Sequence, residues 1–136
     1  MPEAVLFGRL MGGSSMSPTV LIAEDSDSTR LALKTALKFH KFDVVGEAID
    51  GEQAVTMFKE LGPDIILMDI AMPKKHGIDA IRELKVIDPQ AKIVVITALY
   101  SPEKRKEAID VGASALVEKP FNIPDLINTM EKVLSG

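Results

Sequence analysis

From Thr19 onward, short apolar runs rich in β-branched residues alternate with longer stretches that carry apolar residues at helical spacing. The runs predict strands over Thr19 to Ala23, Asp43 to Ala48, Asp64 to Met68, Lys92 to Ile96 and Ala115 to Val117. Between them, helices are expected from a cap at Asp25 or Ser26 to about His40, then over Gly51 to Leu61, Ile78 to Ile87, Pro102 to Val111 and Pro124 to Leu134. Leu31, Leu33 and Leu37 supply the apolar stripe of the first helix. Gly62 Pro63 and Asp88 Pro89 break the pattern where helices should end. Pro102 and Pro124 suit first-turn positions, where a missing amide proton costs nothing.

Five strands alternating with five helices imply an α/β fold built on a parallel sheet. Parallel crossovers need a helix and run right-handed, which places helices on both faces. Ile65 to Met68 and Ile93 to Ile96 are continuously apolar rather than alternating, the pattern of strands buried on both sides.

The polar residues that close these runs carry the candidate chemistry. Glu24 and Asp25 close the first, Asp69 the third, Thr97 the fourth and Lys119 the fifth. Any one of them could be an ordinary capping or turn residue. Together they point to one crevice, because an open parallel sheet binds ligands outside the carboxyl ends of its strands.

Composition narrows the classes. The 136 residues suffice for one domain of ordinary size, and 46% hydrophobic content can fill its core. A formal net charge of -4 argues against direct nucleic-acid binding, which needs a basic face. There is no cysteine, so disulfides and thiolate metal sites are excluded. No apolar run approaches the roughly 20 residues of a membrane span. The expectation is a soluble, cytoplasmic monomer. Residues 1–18 read as a flexible N-terminal extension or an expression scar ending in Met11 Gly12 Gly13 Ser14 Ser15 Met16 Ser17 Pro18, with the folded domain over 19–136.

The set Glu24 Asp25, Met68 Asp69 with Met72 Pro73 and Gly77, Ile96 Thr97 Ala98, and Glu118 Lys119 Pro120 resembles the signature of a response regulator receiver domain. It fixes residue types at the ends of four strands in order and covers Thr19 to Gly136. The resemblance implies a flavodoxin-like, doubly wound five-stranded sheet of order 2-1-3-4-5 with five helices, the order for which the chemotaxis regulator CheY is itself a standard example.

Carried over residue by residue, the resemblance makes Asp69 the phosphoacceptor, a carboxylate nucleophile that takes a phosphoryl group from a histidine kinase of the CheA type. Glu24, Asp25, Asp69 and the backbone carbonyl of Ala71 would hold Mg²⁺, a hard cation suited to oxygen ligands. Without a cation, three such carboxylates repel one another. Lys119 would neutralise a phosphoryl oxygen, aimed inward by a cis bond to Pro120, and Thr97 would donate its hydroxyl to another. Such chemistry relies on positioning and charge neutralisation.

Departures from the family pattern concern switching and lifetime. Leu116 stands where an aromatic switch residue is usual, and Tyr100 is the candidate substitute. Ala71 and Leu99 flank the route of a hydrolytic water and cannot orient one, which predicts slow to moderate self-dephosphorylation. Lys74 Lys75 His76 makes the loop after Asp69 basic, read as solvated charge or as a dock for an acidic kinase surface. The two histidines, His40 and His76, have no second ligand nearby in sequence and are assigned neither zinc nor phosphate.

The implied output is a surface formed by Pro102 to Val111, the fifth strand and Ile123 to Met130, bearing Lys104, Arg105, Lys106 and Asp125. Through it a stand-alone CheY-like regulator would engage a motor or phosphotransfer protein, most simply in chemotaxis, as Gly46 Glu47 Ala48 and Gly51 Glu52 Gln53 Ala54 suggest. One alternative is a phosphorelay intermediate passing phosphate to a histidine on another protein. A metal-dependent phosphatase with an Asp nucleophile is disfavoured, because Ala71 stands where its general acid would be. A nucleotide or flavin module would need a phosphate-binding loop where Glu24 Asp25 stand.

Overall fold

A computed structural model describes residues 17–72, 74, 76–98 and 101–136. Five strands alternate with five helices: β1 (Thr19–Ala23), α1 (Asp27–Phe39), β2 (Asp43–Ala48), α2 (Gly51–Leu61), β3 (Ile65–Asp69), α3 (Gly77–Ile87), β4 (Ile93–Thr97), α4 (Pro102–Asp110), β5 (Ala115–Glu118) and α5 (Ile123–Ser135). The strands form one parallel sheet in the order β2-β1-β3-β4-β5. The predicted flavodoxin-like architecture is therefore observed. Of the N-terminal extension read at residues 1–18, all but Ser17 and Pro18 lies outside the described residues. Among the described residues no helix is long and apolar enough to cross a membrane.

The two-residue period of the strands divides the core. Leu21, Ala23, Ile66, Met68, Ile93 and Val95 face α2, α3 and α4, meeting Ala54, Phe58, Ile81, Leu84 and Ala108. Val20, Ile22, Ile65, Leu67, Val94 and Ile96 face the opposite layer, meeting Leu33 and Leu37 of α1 and Leu126, Ile127 and Met130 of α5. Every residue of β3 and β4 is buried, which accounts for their unbroken apolar sequences.

Local signals start the helices. Ser26 accepts from the Thr29 N–H, Asp50 from Gln53, Ser101 from Lys104 and Asn122 from Asp125, each satisfying a free donor of a first turn. Pro102 and Pro124 fall in first turns as expected. Gly62 ends α2 in the left-handed conformation (φ 54°), which a residue with a Cβ resists.

The differences from expectation are small and have causes. β3 and β4 end on Asp69 and Thr97 themselves, because both pair in the ladder, Asp69 with Ile96 and Thr97 with Glu118. Leu31 does not join the stripe of α1. It lies 64% exposed while Leu33 and Leu37 are buried, since only those two share a face at i,i+4 spacing.

Candidate functional site

β1 and β3 are neighbours in the sheet, with Ala23 opposite Met68, so the residues that follow those two emerge side by side. Glu24, Asp25 and Asp69 are those residues. A carboxylate oxygen from each lies within 4.8 Å of the others. Glu24 and Asp69 are buried and Asp25 is exposed, giving the cluster a dry floor and an open mouth.

Lys119 leaves the end of β5 and reaches both buried acids. Its Nζ donates to Asp69 Oδ2 at 2.9 Å and to Glu24 Oε1 at 3.0 Å. Burial works against the ammonium, but the hydrogen bonds and charges of Asp69 and Glu24 outweigh it and raise its pKa above that of an ordinary lysine. The Lys119–Pro120 peptide is cis, as the family resemblance implies. The Lys119 N–H donates to the Thr97 carbonyl at 2.8 Å, which fixes the lysine beside the end of β4. Thr97 is buried at that end.

The remaining bonds of the acids come from the backbone. Ala71 donates its N–H to Asp69 Oδ1 at 2.9 Å, so the loop that carries the Ala71 carbonyl is tied to the carboxylate. Ser26 donates its N–H to Glu24 Oε2 at 3.0 Å. Just beyond, Gly77 presses on Ile70: its N–H donates to the Ile70 carbonyl at 3.1 Å, and a Cβ there would lie 2.2 Å from Ile70 Cα. Only glycine allows α3 to begin so close to the strand end that holds Asp69.

The donor set suits a small divalent cation. Three carboxylates supply hard anionic oxygens at a half-open position, the chemistry Mg²⁺ prefers.

Glu24, Asp25, Asp69, Thr97, Lys119 and the Ala71 backbone thus sit at one end of the sheet. Pro120 holds the cis bond beside them. Leu116, opposite Val95 in the ladder, is half-buried against the core on the α2, α3 and α4 side. Leu99 and Tyr100 lie outside the described residues, as does Lys75. Lys74 is exposed, as the solvated-charge reading expects, and its Nζ also stands 3.6 Å from Asp50 Oδ2, an almost fully buried carboxylate that caps α2. His76 caps α3, its Nδ1 accepting from the Ile78 N–H at 3.2 Å. The charges read on the output surface are each engaged: Lys104 with Glu107, Arg105 with Glu118, Lys106 with Asp110 and Asp125 with Asn122.

Sequence reasoning missed Arg30. Its guanidinium donates to the Glu24 carbonyl at 2.9 Å, to Glu47 Oε1 at 3.2 Å and to Asp27 Oδ1 at 2.6 Å. No local pattern relates Arg30 to Glu47; the pairing of β1 with β2 brings them together.

The family model for the response regulator receiver domain matches residues 20–131. The chain belongs to that family. Among receiver relatives, it is 42% identical over 118 residues to the chemotaxis protein CheY of Thermotoga maritima, covering 87% of this chain and 98% of that one. It is 38% identical over 121 residues to CheY of Halobacterium salinarum, covering 89% and 100%. Among solved receiver structures, it superposes with a TM-score of 0.82 on a chain of the CheX-CheY-BeF3-Mg²⁺ complex from Borrelia burgdorferi, at 30% identity and covering 85% of this chain and 87% of that one. The chain is thus the receiver of a two-component response regulator.

Proposed function

We propose that this receiver accepts a phosphoryl group on Asp69 from a phosphohistidine of a CheA-like sensor kinase and passes the signal to a partner in a chemotaxis pathway of the cytoplasm. The observation that carries the reading is the convergence on Asp69: two further acids within 4.8 Å and an ammonium at 2.9 Å. A nucleophilic carboxylate needs its own charge and that of the incoming group balanced, and this arrangement offers both a cation site and a fixed cation.

In the transfer, an Asp69 oxygen forms a bond to phosphorus as the bond from phosphorus to the donor's imidazole nitrogen breaks. The imidazole keeps the electron pair. Glu24, Asp25, Asp69 and the Ala71 carbonyl would hold Mg²⁺, which supplies charge neutralisation at the phosphoryl oxygens when bound. Lys119 moves its hydrogen bonds from the carboxylates to a phosphoryl oxygen, and the Thr97 hydroxyl donates to another.

Signalling then follows as a population shift, since a phosphoryl group favours whichever arrangement of Thr97 and its loop it binds better. The surface that reads the shift is α4, β5 and α5. The CheY relatives support chemotaxis as the pathway.

The test is phosphoryl incorporation from acetyl phosphate, read by intact mass, in the wild type and Asp69→Ala, with Mg²⁺ and with chelator. Gain of one phosphoryl group that requires both Asp69 and Mg²⁺ is expected. No gain in the wild type would overturn the reading.

A further inference from the structure

Arg30 spends one guanidinium on three elements. Beyond the bond to the Glu24 carbonyl, it reaches Glu47 on β2 and Asp27 in the first turn of α1, and its side chain is only 15% exposed. Glu47 is itself anchored. It accepts from Lys34 Nζ at 3.1 Å, and its residue pairs with Ile22 in the ladder, two positions before Glu24. The Lys34 hydrogen bond foremost, and Arg30 with it, hold the Glu47 carboxyl below the ordinary carboxylate range, so it remains an anion for Arg30 to grip.

The atom Arg30 holds is placed to matter. The Glu24 carbonyl belongs to the peptide that joins Glu24 to Asp25, where the chain leaves β1 and must aim two successive side chains at Asp69. Three main-chain or carboxylate bonds orient this turn: the Glu24 N–H to the Ala48 carbonyl at 2.9 Å, the Ser26 N–H to Glu24 Oε2, and Arg30 to the Glu24 carbonyl. The first two leave the direction of the Glu24–Asp25 peptide open, and the third fixes it. Arginine alone has a planar fork of donors that can serve a carbonyl and two carboxylates at once.

We infer that Arg30 is a positioning residue for the acid pair: anchored by Glu47, it orients the Glu24–Asp25 peptide and so presets the cation site. This inference rests on the reading of the site as one for Mg²⁺. It makes a prediction opposite in sign to simple electrostatics. Removing a cation near three carboxylates should tighten the binding of another cation, whereas losing a positioning group should weaken it. Groups that orient metal ligands are typically worth roughly 10 to 100-fold in affinity.

The experiment is calorimetric titration with Mg²⁺ alone of the full chain and of Arg30→Met and Arg30→Lys, with circular dichroism to establish the fold of each. About tenfold weaker Mg²⁺ binding is expected in both variants. The Mg²⁺ needed for half-maximal phosphorylation should rise in step, with the rate at saturating Mg²⁺ largely kept. Unchanged or tighter binding in folded Arg30→Met overturns the inference, as does rescue by Arg30→Lys, which would show that charge and not the fork matters. Should Arg30→Met not fold, Arg30→Lys alone decides between weakening and no change. A wild type that binds no Mg²⁺ would instead overturn the proposed function and this inference with it.

Discussion

Lys119 Nζ lies 2.9 Å from Asp69 Oδ2, and the same ammonium also bonds Glu24, so one cation bridges two buried acids at the ends of neighbouring strands. The lysine therefore stabilises the free protein by balancing the charge of both acids.

That relationship sets an alkaline limit. The folded pKa of Lys119 is raised above its unfolded value near 10.4, so its contribution to stability is fully present below that pH and is lost as pH rises through the folded pKa. Without metal, Lys119→Met should cost on the order of 1–3 kcal/mol at neutral pH, because two buried carboxylates lose a charged donor. The deficit should shrink at strongly alkaline pH and with added Mg²⁺. Urea unfolding against pH, with and without Mg²⁺, checks both.

Gly77→Ala should be among the most damaging single-methyl additions in the protein. Its Cβ would fall 2.2 Å from Ile70 Cα, a backbone atom that cannot swing aside. A loss of roughly 3 kcal/mol or more is expected. Any folded fraction should phosphorylate slowly, since Ile70 follows Asp69. Thermal unfolding and the rate with acetyl phosphate measure the two effects.

At the start of α3, a histidine does the work of a cap. An anionic oxygen accepts the same N–H and also complements the positive end of the helix, so His76→Asp should stabilise by roughly 0.5–1 kcal/mol at neutral pH. A raised urea midpoint with unchanged slope is the expected result.

The Lys74–Asp50 pair separates two roles of one carboxylate. Lys74 is 65% exposed, so Lys74→Ala should cost less than about 1 kcal/mol. Asp50→Ala also removes the cap of α2 and should cost about 1–2 kcal/mol. Equal losses in the two variants, measured by urea unfolding, would show that the ion pair rather than the cap is the stabilising contact.

How far the sequence was legible follows from range. Ile65 to Met68 announces a doubly buried strand because burial on both faces is written into consecutive residues. Ser26, Pro102 and Pro124 mark helix starts through contacts made within three or four residues. Asp69, Glu24, Asp25, Thr97 and Lys119 were found together because parallel strands all deliver their ends to one edge. Arg30 with Glu47, and Lys74 with Asp50, were not legible. Each pair is created by the register of one strand or loop against another, and charged residues at such positions look like ordinary solvated ones in sequence. Leu31 misled for a related reason: three leucines close together suggest one stripe, but two positions of separation turn a side chain to the far side of a helix.

The burial of the sheet is uneven in a way that bears on how such a protein can change over time. β3 and β4, which hold Asp69 and Thr97, are buried at every residue, while β5 at the rim is at most half-buried. Substitutions along this rim strand can therefore accumulate with little disturbance to the packing around Asp69 and Thr97. On the proposed function, a receiver of this build would change its partner by altering the rim alone, and new specificities should arise there first.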